Sequence, residues 1–162
     1  MLTRRTLLIG SSAAVVAGAG AVWLGARRMG SMVDYAIAMA ALRAPLPANP
    51  APQDLIRFAT LAANSHNTQA WTFEVAPDRI DILPDLTRAT PAVDPDNHHL
   101  FTSLGCAAEN LSVAAASRGL PGQIRFDPAA GAVGFDYARG AASDAALSDA
   151  IPLRQSTRSE YD

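Results

Sequence analysis

The 162-residue chain is 49% hydrophobic and 17% charged, carries a formal net charge of −2 and holds one cysteine. That balance excludes a disordered or strongly solvated polypeptide, offers no basic footprint for nucleic acid and leaves no intramolecular disulfide. The length allows one ordinary domain, and with aromatics at 6% its core must rest on Leu, Val, Ile and a few Phe and Trp.

Residues 1–30 read as an address rather than as part of a fold. Arg4-Arg5 stand ahead of residues 6–26, which carry no charge, and Arg27-Arg28 close the stretch. A paired arginine before a mildly apolar run of Gly, Ala and Ser resembles a twin-arginine signal, so the twin-arginine export machinery is an expected partner. The alternative is a transmembrane helix, for which about 20 apolar residues suffice. Ala17-Gly18-Ala19 and Ala19-Gly20-Ala21 fit a small-residue cleavage rule but lie inside the apolar run. The expected location is therefore periplasmic, or anchored on the outer side of the inner membrane.

Residues 31–43 have apolar side chains at helical spacing. The proline-rich residues 44–52 cannot continue a helix, so residues 31–51 read as a short helix and linker, with folding expected to begin near Pro52. Residues 52–63 form the next helical pattern, with Leu55, Ile56, Phe58, Ala59, Leu61 and Ala62 on its apolar side. After a polar turn, residues 71–75 alternate as a half-buried strand, and residues 79–83 return as its hairpin partner. A loop rich in Pro and Asp follows over residues 85–97. Residues 99–118 read as a longer apolar helix, with Gly119 placed to cap its end. Residues 123–126 and 133–137 are two further strands. Residues 143–151 are a short helix opened by a Ser-Asp cap signal. The mixed order, without an internal repeat, predicts an α+β fold with helices on a small mixed or antiparallel sheet.

The chemistry is concentrated in residues 63–71. Asn64, Ser65, Asn67 and Gln69 put short side chains with both donors and acceptors between a helix and a strand. Such a row suits a flat heteroaromatic ring with polar edges, although plain capping turns use the same residue types. The segment resembles the flavin-contacting turn of the nitroreductase family, where a P-S-S-x-N-x-Q-P-W pattern follows a helix and opens a strand. Ser65, Asn67, Gln69 and Trp71 match; Asn64, Ala63 and Ala70 depart from it. Residues 84–88, 93–95 and 103–111 are similar to a long-chain branch with twin-arginine-tagged members. The stretch from Ile151 to Tyr161, with Arg154, Ser156 and Arg158, resembles the segment that grips the flavin phosphate. Two guanidiniums and a hydroxyl suit an anion, because arginine donates in pairs to phosphate oxygens.

The resemblance implies a complete nitroreductase fold that binds FMN, is reduced by NAD(P)H and passes electrons to a small-molecule acceptor. Asn64, Ser65, Asn67 and Gln69 would serve the ring and ribityl region, and Arg154, Ser156 and Arg158 the phosphate; no acid or base is assigned. In that family the ring contacts and the phosphate grip meet across a dimer, or between two halves of one long chain. Residues 52–150 would then be the first half and residues 151–162 the start of a truncated second half, with a second half or a dimer partner to complete it. Such a half would leave an open sheet edge and an exposed apolar face. A flavin-sequestering protein without turnover, or a non-functional remnant, remain the alternatives.

Other candidates carry less. Adjacent His98-His99 point in different directions and lack further ligands at suitable spacing, so no metal site is expected. His66 reads as a ring-edge or packing residue. Cys106, in the apolar run from Leu104 to Ala108, reads as a small buried hydrophobe. Hydrolase, Rossmann and P-loop motifs are absent from the sequence.

Overall fold

The computed structural model describes residues 30–155, and the chain divides between Ala41 and Leu42 into two units. Helix α1 (Met32–Leu42) makes up nearly all of the first unit's described part. Its first turn is fixed by Ser31, whose Oγ accepts the Asp34 amide at 3.0 Å and donates to Asp34 Oδ2 at 2.8 Å.

In the second unit, the proline-rich segment is held by side chains that collect its carbonyls. Arg57 donates to the Leu42 carbonyl at 2.9 Å and to that of Ala44 at 2.6 Å. Arg118 donates to the carbonyls of Leu46 and Pro47, each at 3.0 Å. Proline has no N–H to give, so this backbone cannot pair with itself in a ladder, and the guanidiniums satisfy it instead. Leu46 enters the core at 6% exposure. The packed structure thus starts ahead of Pro52, where the sequence places its beginning.

Helix α2 (Pro52–Ala59) has proline at its start, where no N–H is required. Asp54 accepts from the Ala51 amide at 3.0 Å. Leu55, Phe58 and Ala59 form its buried side. The helix ends four residues short of expectation. Thr60 Oγ1 turns back onto the Arg57 carbonyl at 2.7 Å, and the amides of Leu61 and Ala62 bond the carbonyls of Phe58 and Ala59, tightening the chain into a three-residue turn.

Strands β1 (Trp71–Ala76), β2 (Arg79–Pro84), β3 (Gly122–Asp127) and β4 (Ala132–Tyr137) form one antiparallel sheet in the order β1-β2-β4-β3. The register pairs Phe73 with Ile82, Ile80 with Phe135, and Ile124 with Phe135. A period of two therefore puts Trp71, Phe73, Ile80, Ile82, Val133 and Phe135 on one face. The opposite face carries a charged network: Arg79 to Asp81 at 2.7 Å, Arg79 to Asp136 at 3.3 Å, and Arg125 to Asp136 at 3.4 Å. Gly134 lies beneath it, where a Cβ would come within 2.6 Å of the Arg79 guanidinium. At the β3 edge, Ile124 and Phe126 stay exposed.

Helix α3 (His98–Ala116) covers the apolar face with Leu100, Leu104, Ala107, Ala108, Leu111, Ala114 and Ala115. Runs of alanine let its backbone approach the sheet closely, and Asn110 ties it to α2 through the Phe58 carbonyl at 3.2 Å. Its start is capped from a distance by Asp94, buried at 3% exposure, whose two oxygens accept the amides of His99 and Leu100, each at 3.0 Å. Burial opposes charge on that carboxyl, but the two amides and the nearby histidines outweigh it and hold its pKa below the ordinary value. At the other end Gly119 takes φ +72°, and the amides of Gly119 and Leu120 bond the carbonyls of Ala116 and Ala115. That is a glycine-terminated helix end of the expected kind.

Helix α4 (Ala145–Ala150) is shorter than expected and lacks the predicted side-chain cap. Ser143 Oγ bonds Asp144 Oδ2 at 2.8 Å instead, and Asp144 itself is left-handed at φ 58°. A buried hydrogen bond of 3.0 Å between Ser148 and Ser117 fastens α4 to α3. The architecture is α+β, as the element order predicts.

Candidate functional site

Between α2 and β1 the chain makes a strained turn. His66, Asn67 and Gln69 lie in the left-handed region at φ 48°, 55° and 49°, a conformation uncommon for residues other than glycine. Asn64 holds it closed. Its Oδ1 accepts the Gln69 amide at 2.9 Å and its Nδ2 donates to the Ala62 carbonyl at 3.2 Å. The Ser65 carbonyl accepts the Thr68 amide at 3.1 Å.

A second clamp comes from α3. Ser103 Oγ accepts the Ser65 amide at 3.0 Å and donates to the His99 carbonyl at 2.6 Å. The turn and the helix thereby enclose an open pocket of about 250 Å³ lined by Ala63, Asn64, Ser65, His99, Thr102, Ser103 and Cys106. Its walls carry amide, hydroxyl, imidazole and thiol groups over alanine.

The sequence-predicted residues divide into three groups. Asn64 and Ser65 line the pocket. Asn67 and Gln69 belong to the same turn but stand outside its walls, Gln69 fixed through its backbone amide. Arg154 is exposed and donates to the Leu61 carbonyl at 2.8 Å, two residues before the pocket wall begins at Ala63. Its own carbonyl accepts from Arg43 at 3.1 Å. Arg154 and the turn over residues 64–69 are therefore neighbours within one chain. Ser156 and Arg158 lie outside the described residues, as does the twin-arginine segment through residue 29.

Two proteins of Mycobacterium tuberculosis, one from strain CDC 1551 / Oshkosh and one from strain ATCC 25618 / H37Rv, each bear the name "Putative NAD(P)H nitroreductase" and are 30% identical to this chain over 128 residues. The likeness supports the nitroreductase family. It extends over 75% of this chain, and the chain spans 37% of the length of these nitroreductase relatives. No protein-family model matches the chain.

The wall from α3 was missed in the sequence. His99, Thr102, Ser103 and Cys106 recur at a spacing of three, four and seven, one stripe of the helix. That stripe is legible in the sequence but is interleaved with Leu100, Leu104, Ala107 and Ala108, which pack into the core. Cys106 is exposed rather than buried, because it lies roughly 200° around the helix from Leu104, which faces the sheet. His66 is likewise exposed rather than packed. Among the described residues no group of His, Cys, Asp or Glu is placed to hold a metal ion.

The residues present fit the edge of a flavin. A polar-edged ring needs fixed donors and acceptors beside an apolar floor, and a turn held in an uncommon conformation by Asn64 and Ser103 presents its polar groups with little left to order. The volume is below the roughly 300–1,000 Å³ of pockets that enclose a whole drug-sized ligand, so a ring held here would be only partly enclosed by these residues.

Proposed function

We propose that the chain supplies the ring-side wall of an FMN site in an exported nitroreductase-like oxidoreductase that uses NAD(P)H as donor. The carrying observation is the turn over residues 64–69, with three left-handed side-chain-bearing residues clamped beside a pocket. Backbone strain of that kind, of order 1–3 kcal/mol per residue, persists where the surroundings impose it and clusters at ligand clamps. FMN, when bound, would supply the redox chemistry, taking a hydride from the nicotinamide and passing electrons to a nitroaromatic or quinone-like acceptor. The chain's own residues would bind and orient. Asn64 and Ser65 would meet the polar edge, Asn67 and Gln69 would hold the ribityl side, and Arg154, Ser156 and Arg158 would pair with the phosphate.

The nitroreductase relatives are longer than this chain, and the reading includes a second half or a dimer partner that closes the remaining side of the flavin. Export through the twin-arginine route to the periplasmic side is part of the same proposal, consistent with cofactor loading before transport.

The test is an absorbance spectrum of the purified chain after FMN is added and the excess removed. A retained flavin band with perturbed shape, lost in a variant carrying Arg154→Ala and Arg158→Ala, is the expected result. Oxidation of NADPH with a quinone acceptor then separates an oxidoreductase from a protein that only sequesters flavin. A colourless chain that stays folded, alone and mixed with candidate partner halves, would refute the site.

A further inference from the structure

We infer that Arg43 is a positioning residue for the phosphate end of the proposed flavin site, acting through Arg154. The inference rests on the reading of Arg154 as a phosphate-pairing residue.

The backbone that carries Arg154 ends a run of helical turns. A 3₁₀ turn (Ile151–Leu153) follows α4 directly, and the Arg154 amide closes it on the carbonyls of Ala150 and Ile151. The last carbonyls of such a run have no partner within it, and a cationic side chain can take them. Arg43 does so. One terminal nitrogen of its guanidinium donates to the carbonyls of both Pro152 and Arg154, across 109 and 111 residues of chain. With its amide and its carbonyl both engaged, Arg154 has a fixed backbone, and its side chain leaves in a set direction. That direction takes its guanidinium to the Leu61 carbonyl at 2.8 Å, close in the chain to Ala63, where the pocket wall begins.

Charge marks the same place as suited to an anion. The ion pairs among the described residues use Arg79, Arg88 and Arg125, whereas Arg43 and Arg57 have carbonyls as their partners there. Arg57 takes the carbonyls of Leu42 and Ala44, on either side of Arg43. Both arginines are half-buried. Neutral acceptors satisfy their N–H groups but not their charge, so the region that holds the residue 152–154 backbone carries a positive field. A phosphate is the kind of group that such a field and an aimed guanidinium would favour. The field is general to this end of the molecule; the aim of Arg154 is what Arg43 sets.

The test compares FMN with riboflavin, which lacks only the phosphate, in fluorescence titrations of the full chain. The parent should bind FMN more tightly than riboflavin. Arg43→Ala is expected to lower FMN affinity about tenfold and to keep riboflavin affinity within about twofold. In an Arg154→Ala background, Arg43→Ala should change the FMN-to-riboflavin ratio by no more than about twofold, because its action passes through Arg154. Arg118→Ala is the control. Arg118 holds the carbonyls of Leu46 and Pro47 in the same proline-rich stretch, and its loss should leave the ratio unchanged. Urea melts check that each variant folds. Arg43→Lys, which loses the planar fork, takes the place of an alanine variant that does not fold and should lower the ratio as well. An unchanged ratio, or equal losses for both flavins, would overturn the inference while the phosphate reading of Arg154 stands. Full additivity of the Arg43 and Arg154 changes would overturn it too, since Arg43 would then act on the phosphate by itself. A parent that binds both flavins alike or neither, or an Arg154→Ala chain with the parent's ratio, removes the phosphate reading and the inference together.

Discussion

Replacing Ser103 by alanine removes one oxygen that serves two partners. Its Oγ accepts the Ser65 amide at 3.0 Å and donates to the His99 carbonyl at 2.6 Å, at a residue only 6% exposed. The His99 carbonyl keeps its place in the helix, but the Ser65 amide loses its acceptor in a partly buried position. An unsatisfied donor there costs about 1–3 kcal/mol. Alanine returns up to about 0.5 kcal/mol through its better helix propensity. The net loss expected is about 1–2 kcal/mol, a fall in Tm of roughly 3–8 °C for a domain of this size. The same hydrogen bond holds the strained turn, so its loss lowers the population of the binding-ready conformation. A shift of about 1.4 kcal/mol against that conformation raises the apparent Kd for FMN about tenfold. Urea denaturation and fluorescence titration with FMN measure the two effects separately. Ser117→Ala is the control, because Ser117 also makes buried hydrogen bonds, to the Ala114 carbonyl at 2.8 Å and to Ser148 at 3.0 Å, away from the pocket. It should lose similar stability and leave FMN affinity unchanged. Equal effects of the two variants on FMN affinity would refute the clamp, and so would a Ser103→Ala protein as stable as the parent.

Gly122→Ala sets a Cβ against the Asp136 backbone oxygen and 2.6 Å from the Phe135 ring, and should cost about 1–3 kcal/mol in denaturant melts through overpacking. Two other glycines should respond oppositely. Gly119, at φ +72° with the Gly140 oxygen 3.0 Å from a would-be Cβ, loses about 1–2 kcal/mol on change to alanine, whereas Gly105, inside α3 with open space around it, gains about 0.5–1 kcal/mol. The Asp94 pKa is depressed in the fold, so its contribution is complete above the ordinary carboxylate range near about 3.9 and fades as pH falls through the lower folded value. Asp94→Asn should weaken the protein at neutral pH and flatten its stability loss below about pH 4, as chemical melts at several pH values would register.

Much of the secondary structure was fixed locally and is legible in the sequence. The alternation over residues 71–75 and 79–83 specifies a hairpin, because a period of two sends its apolar set to one face whatever lies beyond. Gly119 ends α3 because its left-handed conformation strongly favours residues without a Cβ. The polar turn, too, is visible as a row of residue types. Its strain and clamping are not. Left-handed conformations at His66, Asn67 and Gln69 follow from Asn64 spanning the turn and from Ser103, 38 residues downstream, accepting the Ser65 amide; no local preference encodes that meeting. The same distance effect explains Cys106, whose apolar neighbours suggest burial although the helix rotates it onto the pocket wall. It also explains the proline-rich segment, which reads as a linker until Arg57 and Arg118 reach its carbonyls. Propensity and periodicity act over a few residues and determine elements. Sites, caps and the fate of single polar groups depend on partners far along the chain, and only tertiary packing selects them.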